Sequence, residues 1–438
     1  MAKDIQAKDM QGLGLGLATR FSGSRLAIKT GLRVPAEKLA YLSVKTGFRL
    51  AGRRGKQRPA AADSSVDGER LPNSREQNLF DLTLTEEQQI ISASMRSCAQ
   101  KLLRPNADFA DADTAPPAEF FHHIHELGLS HLAIPEALGG AASGYQPTTS
   151  CLIAEALAHG DFSLACAALS PVAVANALSR WGTSRQQQLL QQWLQDEPLQ
   201  AAIAAEERTL NNAAALQTHA IRNTRGYRLN GSKTLVPLGG EASLYLVTAM
   251  LDDAPRVFIV PAGRRGLSFH KQPAMGLRAA ATGELRLNQV QLDQDALLGS
   301  DDFDYQTFTD LSLLHWCAMA VGTCQAALDY LIPYCNERKA FGEPITHRQS
   351  VAFMLADMAT ELEGMRLLTW RAAALAEQGK DFHREAVLAH TLCTENAMKT
   401  GTDAVQLLGG HGFTQEHPAE RWYRDLRLLG CMRNGMHL

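Results

Sequence analysis

The stretch ERKAFGEPITHRQSVAFMLADM, residues 337–358, decides the reading of this chain, together with VQLLGGHGF at 405–413. Arg338 and Lys339 close a helix, Gly342-Glu-Pro344 turns the chain, and Thr346 stands where an N-cap is expected. Behind it Val351, Met354, Leu355 and Met358 recur at helical spacing. An arginine beside a turn, and a Gly-Gly pair after an apolar helix, suit a phosphate, because guanidinium forks and glycine-exposed amides both donate to oxyanions. Two helix–helix turns in an α-bundle would give the same pattern, and the residues alone leave both readings open.

Working outward, four helical patterns follow residue 301, at about 308–337, 348–378, 384–408 and 418–429. Short loops between them predict an antiparallel bundle. Between about 201 and 298 the period changes to alternating or β-rich runs at 244–250, 257–261 and 284–292, with Asn230-Gly231 as a turn signal. Upstream the pattern is helical again. Thr83 or Thr85 caps a run ended by Arg104-Pro105, and further stretches lie at 117–127, 147–158, 164–181 and 184–193.

The order of RKAFG, His-Arg-Gln, LADM, QLLGGHGF and then Tyr423-Arg-Asp425 resembles the C-terminal half of the acyl-CoA dehydrogenase family. The resemblance runs from about residue 79 to 427, and its strength is that several separated motifs fall in sequence. It implies an α+β, mainly α, fold with an N-terminal helical domain (79–200), a middle β-barrel or sandwich domain (201–300) and a C-terminal four-helix bundle (301–438), preceded by an arm and linker at 1–78. Ile134-Pro-Glu with Gly139-Gly140 resembles the family's turn before its third helix, and Met275-Gly-Leu-Arg278 with Thr282 its strand approach to flavin and acyl-CoA.

The resemblance also implies FAD as cofactor and α,β-dehydrogenation of a fatty acyl-CoA thioester. A glutamate takes the α proton while flavin N5 accepts hydride from the β carbon. That base must be close, aimed and of raised pKa. Most relatives place it eight residues after the Arg-Asp pair, where this chain has Arg433; a subset places it on the first bundle helix, where this chain has Ser312. Asp310 and His315 are the nearest ionisable substitutes, an Asp at a helix start more often being a cap and a His there a packed side chain. The flavin-facing loops depart as well: Ala-Glu206-Glu207-Arg replaces Thr-Glu-Pro-Gly, and Leu235-Val-Pro237 replaces a Trp-x-Thr or Trp-x-Ser. Pro237 offers neither hydroxyl nor N–H. By contrast Arg338, Phe341, Gln349, Gln406, Gly409 and Gly410 match the positions that in relatives hold FAD pyrophosphate and adenosine across a subunit interface. The alternative function is therefore a catalytically degenerate member acting as partner or scaffold.

Residues 1–59 carry thirteen Lys and Arg against three acidic residues, a net of +10, so with −3 overall the remainder carries −13. Lys38, Lys45, Arg49 and Arg53 share one side of a helical wheel, a short basic amphipathic segment able to lie on an anionic membrane surface. Without interleaved aromatics the arm does not read as a nucleic-acid binder. Residues 54–78 are polar, with Pro, Gly and Ser and no apolar period, and read as a linker. No apolar run approaches the roughly 18–20 residues of a membrane span. Eight scattered cysteines without a CxxC pair read as buried hydrophobes in a reducing compartment, and no metal set is expected. The expected partners are acyl-CoA, a homo- or hetero-oligomer (dimer or tetramer), an electron-accepting flavoprotein and, through the arm, a membrane surface. The expected location is cytoplasmic, with a peripheral membrane contact.

Overall fold

The computed structural model of the protein describes residues 82–142, 144–195, 199–208, 216–238, 240–299 and 303–437. The basic arm and the linker lie outside the described residues.

Thr85, the second of the two candidate caps, starts helix α1 (Glu86–Cys98) through a capping box with Gln88. Arg104-Pro105 does not end the helical run. A π-turn at Ala99–Leu103 carries the chain into α2 (Arg104–Asp113), and Pro105 sits just behind that turn, where the altered ladder accommodates its missing N–H. Helices α3 (Phe120–Glu126), α4 (Leu129–Ala133), α5 (Pro147–Ala158), α6 (Phe162–Trp181) and α7 (Ser184–Gln187) complete the N-terminal layer.

The middle of the chain is a curled seven-stranded sheet: β1 (Ala201–Ala204), β2 (His219–Asn223), β3 (Gly226–Val236), β4 (Leu244–Leu251), β5 (Ala254–Pro261), β6 (Leu267–Lys271) and β7 (Gly283–Leu292). The order is β1-β4-β2-β3-β7-β6, with β5 paired to β4. Asn230-Gly231 is not a turn but a bulge inside β3. Gly231 has φ 144°, and a Cβ there would stand 2.5 Å from Thr218 Oγ1, so glycine is required by close approach. The tight β4–β5 turn falls instead at Asp252-Asp253, both with positive φ, which the twist of a two-residue hairpin favours.

The C-terminal layer holds α8 (Tyr305–Glu337), a small hairpin β8 (Lys339–Ala340) and β9 (Glu343–Pro344), then α9 (Gln349–Glu377), α10 (His383–Leu408) and α11 (Ala419–Leu428). Thr346 is not the cap of α9. That position is Arg348, and the Thr346 hydroxyl donates to Asn336 Oδ1 at 2.9 Å, tying the hairpin to the end of α8. Helices α6 and α8 are long and apolar enough to cross a membrane by composition, contrary to the sequence expectation, but most of each is buried in the core. Seven of the eight cysteines are buried there too.

Candidate functional site

The Tyr423-Arg-Asp425 motif sits on α11 and docks that helix on the other two layers. Asp425 is buried; its carboxylate accepts from Leu277 N at 2.8 Å and from Ser163 Oγ at 3.1 Å. Burial, with the neighbouring Asp161 charge, pushes this carboxyl up to about 7. Arg424 pairs with Asp111 and Glu420, and Arg421 with Asp161. A Cβ on Gly276 would meet Arg424 O at 2.4 Å, so the Met275-Gly-Leu-Arg278 loop is the seat on which α11 rests.

After α11 the chain turns back and runs between the sheet and the first bundle helix. Met432 O accepts from His390 Nε2 at 2.9 Å. The backbone amides of Arg433 and Asn434 both donate to one oxygen of Glu206, at 2.8 and 2.6 Å, just beyond the end of β1. Asn434 O accepts from Trp316 Nε1 at 2.9 Å, and Met436 N donates to Ser312 Oγ at 2.9 Å. His437 bonds the Phe308 carbonyl and stacks on the Phe308 ring, centroids 3.7 Å apart, with Trp181 edge-on to it at 6.2 Å. Phe308, Ser312, His315 and Trp316 share one face of α8 by their helical spacing, and Met436 and His437 are buried against it.

The structure thus joins the two positions where a base was sought. Arg433 is in the tail and Ser312 is the hydroxyl that holds it. Of the two substitutes, Asp310 is committed elsewhere: its carboxylate takes Gln306 Nε2 at 3.0 Å and His383 Nδ1 at 2.9 Å, at the start of α10. The cap of α8 is Asp304, which accepts from Gln306 N and Thr307 N. His315 is fully buried and hydrogen-bonded to the backbone of Leu311 and Met436; burial pulls its imidazole down to about 4, so it is neutral at pH 7.

The other candidate residues lie at the exposed end of the bundle. Arg338 closes α8, Phe341 stands 97% exposed at φ 56°, and Gln349 opens α9. Gln406 is exposed near the end of α10, and Gly409 and Gly410 follow it with no atom within 4 Å of where a Cβ would be. Tyr330 and Tyr334, in the last turns of α8, meet the His417 ring, and His417 meets His411, so the two groups share one end of the molecule.

Residues 85–196, 201–290 and 306–433 match in that order the N-terminal, middle and C-terminal domains of acyl-CoA dehydrogenase. The mitochondrial short-chain specific acyl-CoA dehydrogenase of Mus musculus is 32% identical over 365 residues, 79% of this chain and 86% of that protein. The chain belongs to the acyl-CoA dehydrogenase family. Homologues in this family support FAD-dependent acyl-CoA dehydrogenation as its general chemistry. The structure of butyryl-CoA dehydrogenase from Megasphaera elsdenii superposes with a TM-score of 0.75 at 29% identity, covering 81% of this chain and 96% of that one. PigA, solved with FAD and proline, shares the fold at a TM-score of 0.74 and 24% identity, over 81% of this chain and 96% of that one.

Against an acyl-CoA dehydrogenase's FAD, the two halves of the site behave differently. At the ring half the donors of these described residues are spent internally: Thr234 N bonds Glu206 O, Leu235 N bonds Gln272 Oε1, Leu238 N bonds Ala280 O, and Pro237 has none. Glu206 is turned to the tail rather than to a ligand. The described residues of this half do not fit a flavin ring. The edge half suits a pyrophosphate and adenosine better, since its cation Arg338, its aromatic Phe341 and its glycines Gly409 and Gly410 are exposed, although the Gly409 N–H already bonds Gln406 O. Sequence reasoning placed Glu206 at the flavin-facing loop but missed the residues that meet it and α8: Asn434, Met436 and His437. The only signal was the neutral, mostly apolar end after Arg433, which suits burial.

Proposed function

We propose that this chain takes part in FAD-dependent acyl-CoA dehydrogenation as a non-catalytic subunit. It pairs with a homologue that carries the base, and lends the partner's FAD the Arg338, Phe341, Gln349, Gln406, Gly409 and Gly410 edge. The observation that carries this reading is the segment bonded at once to Glu206, Trp316 and Ser312, with Arg433 and Ser312 themselves standing where the family resemblance calls for the base. Phe341 and Phe413, 97% and 80% exposed, support a covering subunit, because large aromatics at a folded surface favour an interface. Acyl-CoA and the electron-accepting flavoprotein would then engage the partner's centre. Purification from the native cell tests this: a base-bearing homologue should copurify, and a lone oligomer with turnover would refute it.

One observation favours a second reading in which this chain keeps the chemistry. His315 is neutral, lies one turn from Ser312 and bonds the backbone of Met436, so a withdrawn tail would uncover a base there. Flavin reduction by acyl-CoA in the lone protein, ended by His315→Gln, is its signature. The proposed location is cytoplasmic, with residues 1–59 resting on an anionic membrane; anionic liposomes should bind the full chain and not a form lacking those residues.

A further inference from the structure

Just past the Gly409–Gly410 turn, three side chains that the dehydrogenation chemistry does not use converge: His411, Glu416 and His417. Their ligating atoms lie within 4.8 Å of one another, and His411 Nδ1 is 3.5 Å from Glu416 Oε2. A tetrahedral divalent metal with bonds of about 2.0–2.2 Å holds its ligands roughly 3.3–3.5 Å apart. One edge of that tetrahedron is already at this spacing. Glu416 and His411 are 72% and 48% exposed, which leaves them free to close the rest.

His417 is the fixed member. Tyr330 Oη stands 2.6 Å from its Nδ1, and the Tyr330 and Tyr334 rings pack edge-on against it at 6.0 and 5.8 Å. The hydroxyl engages Nδ1 and leaves Nε2 for a metal, with Nδ1–H then donating to the phenol oxygen as metal-binding histidines donate to their outer partners. The backbone carrying His411 is pinned too, since Thr414 donates to His411 O from both its hydroxyl, at 3.0 Å, and its amide, at 3.3 Å. A simple surface ion pair of His411 with Glu416 would require neither the second imidazole nor the phenol that orients it.

We propose that His411, Glu416 and His417 form a Zn²⁺ site, positioned by Tyr330, with the fourth coordination position open to water or an exogenous ligand. Two imidazoles and one carboxylate suit borderline divalent ions such as Zn²⁺ and Co²⁺, whereas Mg²⁺ and Ca²⁺ call for an oxygen shell that these residues do not supply.

The test is a titration of the full chain, free of any affinity tag, with Co²⁺ as the optical probe and Zn²⁺ as competitor. One Co²⁺ per chain should bind with the visible absorption of low-coordinate cobalt, be displaced by Zn²⁺ and not by Mg²⁺, and be lost in His411→Ala and His417→Ala. Tyr330→Phe, which keeps the ring packing, should weaken binding about 10- to 100-fold. Absence of Co²⁺ binding, binding unchanged in both histidine variants, or unchanged affinity in Tyr330→Phe would overturn the proposal.

Discussion

Glu206 and Asn434 are 228 positions apart in sequence, yet the carboxylate of one accepts the backbone amide of the other at 2.6 Å. The same oxygen takes the amide of Arg433, so one buried acid holds the turn of the tail. Burial raises the carboxyl of Glu206 above the usual range, while these amide bonds and nearby Lys233 oppose the rise.

Removing that acceptor should loosen the tail without dismantling the fold. Glu206→Ala leaves two part-buried N–H groups without their acceptor, a loss of about 1–3 kcal/mol, while Glu206→Gln keeps one oxygen and should lose less. Hydrogen exchange over residues 432–437 and urea denaturation would register the order wild type, Gln, Ala.

Acid should release the same segment. Burial pulls the imidazoles of His315 and His437 down to about 4 and about 3, from an ordinary 6.5, with Arg180 and the two histidines' mutual repulsion adding to it at His437. The displaced tail takes up protons below about pH 6.5 and the docked one does not, so docking is strongest above that pH and weakens as pH falls toward 4. Hydrogen exchange at the Met436 amide, corrected for intrinsic rates, should speed up between pH 7 and 5 beyond any change at helix α6.

A different sign applies at Asp425. Its carboxyl is raised to about 7 from an ordinary 3.8, so the contribution to stability is full below about pH 4 and is lost as pH rises toward 7. Asp425→Asn keeps an oxygen for Leu277 N and can donate to Ser163 Oγ. The variant should flatten the slope of unfolding free energy between pH 4 and 7, as measured by denaturant titrations across that range.

Lys233 is fully buried, with its ammonium 2.7 Å from Glu207 and 2.8 Å from Thr248 Oγ1. Lys233→Met strands a buried carboxylate and should destabilise by about 3–5 kcal/mol. The double variant with Glu207→Gln should recover part of that, since the carboxamide removes the stranded charge and its one oxygen keeps one of the two amide bonds that the carboxylate oxygens accept separately from Gln217 and Thr218; a thermal melt distinguishes the two.

How much of this was legible beforehand depends on the kind of residue. The long helices declared themselves because apolar spacing and caps are local: the helix ending at Leu408 and the one opening at Pro147 fall where the pattern put them. Asn230-Gly231 misled because a turn signal and a bulge use the same dipeptide, and only the nearness of Thr218 separates them. The residues of the edge from Arg338 to Gly410 were named from the family resemblance, and the fold brings them to one end of the bundle. The closed half could not be read, because Glu206, Ser312 and Met436 meet only in the folded chain, and a missing glutamate says nothing about what fills its place. The His411–Glu416–His417 group was likewise invisible, since Tyr330, which orients it, comes 87 residues before His417.

The most direct measurement is the visible absorbance spectrum of the purified full chain with added FAD, alone and together with a base-bearing homologue, before and after acyl-CoA. The chain alone should retain no stoichiometric flavin. The pair should hold flavin that acyl-CoA bleaches, and Arg338→Ala in this chain should lower the flavin held by the pair. One bound flavin per chain in the lone protein, bleached by acyl-CoA, would contradict the closed site.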